Sequence, residues 1–243
     1  MNIAVIFAGG ICARMYSGEI PKQFLRMHQK PIIIYTLEVF DAHPEIDAIV
    51  IACKEEWIEY LKNLIYKFRI DKVKKIVPGG ATGQMSIYRG LIAAREVSGQ
   101  ENAIVLIHDG VRPLIDNRLI SDNIASVKRN GTAITTAAVT ETILVIEDDR
   151  TIDYVPDRAC SRVAKAPQSF WLDEILEVHQ KAQEEGIFDC IDCCTMMKHY
   201  GHSLFLVDGP SENIKITTPD DFFTMRALLD ARENVQIYMG DMR

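Results

Sequence analysis

The 243-residue chain is 48% hydrophobic and 25% charged, so it can bury one large core with at most a small appendage. Its net charge of −7 excludes a general binder of nucleic acid or of anionic membranes, since either needs a basic face. No apolar run approaches the roughly 20 residues of a membrane span, and no cationic stretch leads to a cleavage site, so the expected location is the cytoplasm.

The first predicted element is a strand over residues 3–7 that runs into paired glycines, Gly9 and Gly10. A buried strand broken in this way brings bare backbone amides, with Ala8, to the C-terminal edge of a sheet. Arg14 and Lys22 then set two cations beside them, which suits a polyphosphate. The spacing matches neither G-x-G-x-x-G nor the G-K-S/T of a Walker loop. A helix is predicted at 32–41, a strand at 48–52, a helix at 55–68 and a strand at 75–77. Gly79-Gly80-Ala81-Thr82-Gly83 follows and opens a helix over 86–97. Its glycines let backbone approach a flat ligand, and Thr82 and Ser86 offer hydroxyls; an ordinary loop with a helix cap accounts for the same residues.

A strand over 103–108 ends in His108-Asp109-Gly110-Val111-Arg112-Pro113. Asp109 stands where a carboxylate reaches a magnesium ion bridging phosphates, or where it caps the next turn. Arg112 is expected to pair with Asp109 or with an acid elsewhere and to hold the loop. His108 reads as a structural hydrogen-bond donor, because phosphoryl-type transfer needs charge neutralisation more than proton abstraction. A helix at 116–130 and a strand at 133–139 follow. Residues 142–146, 147–150 and 151–155 then read as strand, polar turn and strand, a hairpin with little core of its own that is expected to pack on a second subunit.

Helices are predicted at 173–185 and 189–200, a strand at 203–207 and a last helix at 219–231, with Thr218 as N-cap and Pro219 at the first helical position. Cys190, Cys193, Cys194 and Met197 recur at helical spacing, which favours core packing over a zinc site. The six cysteines show no disulfide framework. Short apolar strands alternating with helices predict an α/β fold: an open, doubly wound, mostly parallel sheet in one domain over 1–235, with an inserted β-hairpin arm near 140–158. In such sheets ligands sit outside the carboxyl ends of the strands, where the glycine turn and Asp109 both fall.

Taken in order, Ala8-Gly9-Gly10 through Arg14-Met15, Pro21-Lys22-Gln23-Phe24-Leu25, Gly79-Gly80 with Ser86, the His108 to Pro113 segment, Pro156-Asp157-Arg158, Ala166-Pro167-Gln168-Ser169-Phe170 and Asn213-Ile214-Lys215-Ile216-Thr217 form a pattern. It resembles the CTP-dependent cytidylyltransferases that act on 2-C-methyl-D-erythritol 4-phosphate and on ribitol 5-phosphate, from about residue 2 to 230. The resemblance implies a Rossmann-like nucleotidyltransferase in which an alditol phosphate oxygen attacks the α-phosphorus of CTP and pyrophosphate leaves. By that likeness Arg14, Lys22 and Lys215 surround the α-phosphate, and Ala8, Gly9, Gly10, Gly79, Gly80 and Ser86 hold the nucleotide. Asp109 and Glu212 would bind Mg²⁺, and Arg112, Thr142 and Arg158 the substrate, with Thr142 and Arg158 reaching the partner's site in a homodimer. Three positions depart from the pattern: Cys12 replaces a glycine, a basic residue near Gly83 is absent, and Ala166 replaces a threonine. The His108 segment looks more like the ribitol 5-phosphate branch, and Ser211 to Asp220 more like the other. A sugar-1-phosphate nucleotidyltransferase using another triphosphate, or a non-catalytic nucleotide-binding domain, would share the sheet and the glycine turn.

Overall fold

The computed structural model describes residues 1–9 and 20–240 and builds them around a seven-stranded sheet. β1 (Asn2–Ala8) opens the chain, and two short strands, β2 (Arg26–Met27) and β3 (Lys30–Pro31), pair before helix α1 (Ile32–Ala42). Then β4 (Ala48–Cys53), α2 (Ile58–Phe68), β5 (Val73–Pro78), α3 (Gly83–Ser98), β6 (Ile104–Asp109), α4 (Asn117–Asn130) and β7 (Thr132–Ala138) alternate. The hairpin β8 (Val145–Ile146) and β9 (Ile152–Tyr154) precedes a long strand, β10 (Arg162–Trp171). Helices α5 (Leu172–Glu184) and α6 (Cys193–His199), strand β11 (Leu206–Asp208) and α7 (Pro219–Gly240) complete the chain.

Across the sheet the order is β11-β7-β10-β6-β1-β4-β5. Every neighbouring pair is parallel except those of β10, which is antiparallel to both β6 and β7. β4 and β6 are buried at every position, which is why they read as continuous apolar runs. Alternate residues of β1 serve opposite faces, Ala4 and Ile6 packing with Ile33, Leu37 and Phe40, and Ile3 and Val5 with Leu91, Phe170 and Ile175. Helices therefore cover both faces, as the apolar pattern predicts.

Several elements differ from expectation: β2 and β3 are not announced, and β11 is Leu206–Asp208 where a strand over 203–207 is predicted. Nothing in the pattern announces β10, because Pro167 argues against a central strand. The sheet accommodates it at a register shift between Ala164 and Gln168, which leaves the proline out of the ladder. The helix predicted over 189–200 begins only at Cys193, since the Asp192 carboxylate accepts from the Thr195 amide at 2.8 Å and caps it there. Cys193, Met196 and Met197 pack in the core, while Cys190 precedes the helix. The last helix is longer than predicted, reaching Gly240. Its start is as read: Thr218 Oγ1 accepts from the Asp221 amide at 3.3 Å, and the Asp221 carboxylate accepts from the Thr218 amide at 2.7 Å. Partial burial opposes the Asp221 charge, but the bonds from Thr217 and Thr218 outweigh it and hold that carboxyl below its usual range.

The hairpin strands are shorter than predicted and stand off the sheet. They leave Leu144, Ile146, Ile152, Tyr154 and Val155 exposed, an apolar face without a cover in one chain.

Candidate functional site

β6 and β1 are neighbours in the sheet and β5 lies beyond β4, and two adjoining cavities of about 330 and 310 Å³ are lined by residues at or just past the carboxyl ends of β1, β5 and β6. Phe7, Gly83, Asp109 and Lys215 line both, so these residues form the wall between them.

Ser86 organises the first cavity. It lies in the first turn of α3, where Thr82 is the N-cap, its Oγ1 accepting from the Met85 amide at 3.2 Å. The Ser86 hydroxyl donates to the Thr82 carbonyl at 2.9 Å and accepts from the Gly80 amide at 3.0 Å. A Cβ on Gly9 or on Gly79 would meet the same hydroxyl at 3.2 Å, so two glycine backbones converge on one side chain. Gly80 is more confined still: a Cβ there would fall 2.3 Å from the Met85 Cβ. Ala8, Gly9, Gly79, Gly80 and Ser86 are thus brought together, as the sequence pattern suggests. Lys22 lines this cavity from a 3-10 turn, Lys22–Phe24, whose Phe24 ring stacks on Trp57 with centroids 5.0 Å apart. Gln23 Nε2 donates to the Ala8 carbonyl at 2.5 Å and ties that turn to the end of β1. Gly10, Cys12 and Arg14 lie outside the described residues.

The shared wall is an ionic cluster. Asp109, its side chain only 7% exposed, receives Lys215 Nζ on Oδ1 at 2.6 Å and Arg112 Nε on Oδ2 at 2.8 Å. Burial by itself raises a carboxyl pKa, but the Lys215 and Arg112 charges outweigh it and hold Asp109 at about 2. Arg112 also donates from Nη1 to the Asn213 carbonyl at 3.0 Å. Lys215 arrives on the segment between β11 and α7, which is fixed by the Ile216 amide on the Val111 carbonyl at 3.0 Å and by Asn213 Nδ2 on the Ala166 carbonyl at 2.6 Å. His108 is fully buried, and burial lowers its pKa to about 4. As a neutral ring it donates from Nε2 to the Arg112 carbonyl at 3.1 Å, holding the loop that carries Arg112.

Magnesium is bound through one or two carboxylates together with substrate phosphates and water. Asp109, a buried carboxylate at the junction of the cavities, fits one such position. Glu212 lines neither cavity; it is exposed and accepts from the Ser211 hydroxyl at 3.2 Å. Among the described residues no group of three or more His, Cys, Asp or Glu forms a metal cluster.

The second cavity draws Arg112, Lys165, Gln168 and Asp192 together. Gln168 Nε2 donates to Asp192 at 2.9 Å and its Oε1 accepts from the Cys194 amide at 2.8 Å, joining β10 to the start of α6. Lys165 and Asp192 belong to no motif or spacing in the sequence, and the Pro21–Leu25 segment holds Gln23 without announcing its bond to the Ala8 carbonyl. Thr142 and Arg158 are exposed and line neither cavity of their own chain; Arg158 Nη1 donates to the Thr140 carbonyl at 3.3 Å.

The family model described as IspD, 2-C-methyl-D-erythritol 4-phosphate cytidylyltransferase, matches residues 2–231. A ribitol-5-phosphate cytidylyltransferase of Vibrio parahaemolyticus is 51% identical, over 98% of this chain and 100% of the relative. A 2-C-methyl-D-erythritol 4-phosphate cytidylyltransferase of Clostridium acetobutylicum is 37% identical, over 94% of this chain and 97% of the relative. A solved structure of 4-diphosphocytidyl-2C-methyl-D-erythritol synthase from Anaerococcus prevotii matches with a TM-score of 0.81 at 26% identity, over 94% of this chain and 96% of that one.

Proposed function

The chain belongs to the 2-C-methyl-D-erythritol 4-phosphate cytidylyltransferase family, and we infer that ribitol 5-phosphate is the phosphorylated alditol to which it transfers CMP from CTP. The choice of alditol rests on the higher identity to the relative named for ribitol 5-phosphate, 51% against 37%. The observation that carries the mechanism is the Lys215–Asp109–Arg112 cluster standing between two cavities. We assign CTP to the cavity of Gly9, Gly80 and Ser86, and the acceptor to that of Arg112 and Gln168.

A phosphate oxygen of the acceptor attacks the α-phosphorus of CTP, and the bond to pyrophosphate breaks as the new P–O bond forms. Negative charge builds at the α-phosphate, so fixed cations do most of the work. Lys215, at the boundary of the cavities, and Lys22, on the nucleotide side, supply them, and Arg14 is proposed as the third. Asp109 orients Lys215 and Arg112, and is the residue that would hold Mg²⁺, which supplies charge neutralisation to the triphosphate. Glu212 is a weaker candidate, since it is exposed and outside both cavities. The uncovered apolar face of the hairpin supports a homodimer in which Thr142 and Arg158 complete the partner's acceptor site. Among the described residues no helix is long and apolar enough to cross a membrane, and the proposed location is the cytoplasm.

The test is a pyrophosphate-release assay with CTP, run in parallel with ribitol 5-phosphate and 2-C-methyl-D-erythritol 4-phosphate. We expect kcat/KM to favour ribitol 5-phosphate by about tenfold or more. The reverse preference reassigns the acceptor, and no release with either compound overturns the reading.

A further inference from the structure

We propose that Lys165 binds the phosphate group of the acceptor, forming with Arg112 a paired cation site inside the second cavity. The proposal rests on the assignment of that cavity to the alditol phosphate.

β10 passes the cavity where its register shifts, between Ala164 and Gln168, and this irregularity sets Lys165 on the lining. Lys165 Nζ donates to the Ser211 carbonyl at 2.8 Å and to the Asn213 carbonyl at 3.2 Å. Arg112 Nη1 donates to that same Asn213 carbonyl at 3.0 Å. A single backbone oxygen therefore holds two cations, which stand within two hydrogen-bond lengths of each other.

Like charges so close repel, and the two are compensated unequally. Arg112 shares the Asp109 carboxylate with Lys215, whereas among the described residues Lys165 has only carbonyls as bonded partners. Burial and the Arg112 charge lower the Lys165 pKa, and the exposed Glu212 carboxylate only partly opposes them. Two of the three ammonium donors are taken, and the third remains for a ligand. A phosphate dianion between the cations removes the repulsion and gains charge-assisted hydrogen bonds to both. The same cavity is lined by Asp109 and Lys215, which also line the cavity assigned to the nucleotide. Lys165 is thus a positioning residue for the nucleophile, contributed by the same subunit as Asp109.

Lys165→Gln tests this, because an amide still donates two hydrogen bonds to the carbonyls but carries no charge. In steady-state assays with CTP and ribitol 5-phosphate, we expect acceptor KM to rise roughly 10- to 100-fold while CTP KM stays within about twofold. Competitive inhibition by inorganic phosphate should weaken by the same factor, and Lys165→Arg should restore most of the loss. An unchanged acceptor KM overturns the proposal. So does a parallel change in CTP KM and melting temperature, since a tether between β10 and the 211–213 segment would act that way. A second readout is independent of turnover: with CTP bound, inorganic phosphate should raise the melting temperature of the unaltered protein but not of Lys165→Gln. Equal shifts in both overturn the site even if neither alditol phosphate is a substrate, and absence of turnover alone speaks against the assigned reaction instead.

Discussion

Lys215 and Asp109 divide one task between a charge and its holder. Lys215 is only half-buried and reaches the boundary of the cavities because Asp109 fixes its ammonium at 2.6 Å and the Phe7 ring lies beneath it at 5.8 Å. Removing the ammonium leaves Asp109 compensated by Arg112 alone, so the fold should survive, while by the proposed mechanism the developing charge on phosphorus loses a fixed cation. Lys215→Ala should therefore lower kcat by about 10²- to 10³-fold, with CTP affinity changed by less than about threefold. Steady-state kinetics with a CTP titration checks this, and an unchanged kcat would remove Lys215 from the chemistry. His108 illustrates the opposite case, a titratable residue beside the site that is buried and spent on a backbone carbonyl.

Among the elements, the loop from β5 into α3 is the least tolerant. A methyl group on Gly80 would meet the Met85 Cβ at 2.3 Å and the Met85 carbonyl carbon at 2.8 Å, and backbone cannot give way as a flexible side chain can. Gly80→Ala should cost about 1–3 kcal/mol of stability and abolish thermal stabilisation by CTP. Gly83→Ala, with nothing within 4 Å of the added carbon, should keep its stability; equal losses in both would refute the steric account. Most of the parallel strands were legible as short apolar runs, and β1, β5 and β6 end at Gly, Pro or Asp, the endings that mark Gly9, Gly80 and Asp109. The cap at Thr218 was legible from its neighbours alone. β10 was not, because Pro167 breaks the local pattern and only the bulge, formed against β7, makes room for it. The bond from Gln168 to Asp192 and the convergence of Lys165 with Arg112 on Asn213 join distant segments, and no local spacing records them.

At the scale of the whole molecule, acid should act in two stages. His108 and His179 are fully buried, and burial lowers both pKa values from 6.5 to about 4. An unfolded chain binds protons at these sites between those values and the folded chain does not, so stability is complete above pH 6.5 and falls towards pH 4. At pH 5 the loss is on the order of 2 kcal/mol per histidine. The Asp109 contribution persists above 3.8 and is lost only as pH falls towards 2. Both ring nitrogens of His179 lack partners among the described residues, so His179→Leu should remove about half of the first stage, the His108 share remaining; urea midpoints at pH 7 and 5 decide it, and an unchanged difference argues against it. The antiparallel strand has a consequence of another kind. Among the described residues β10 is the strand that hydrogen-bonds the β7–β11 pair to the rest of the sheet, yet both strands that flank it are synthesised earlier. A nascent chain ending before Arg162 therefore carries β6 as an open sheet edge and β7 with neither of its sheet neighbours, because β11 is synthesised later still. The strand that joins β7 to β6 also delivers Lys165 and Gln168, so the step that makes the sheet continuous is also the step that gives the second cavity its β10 side.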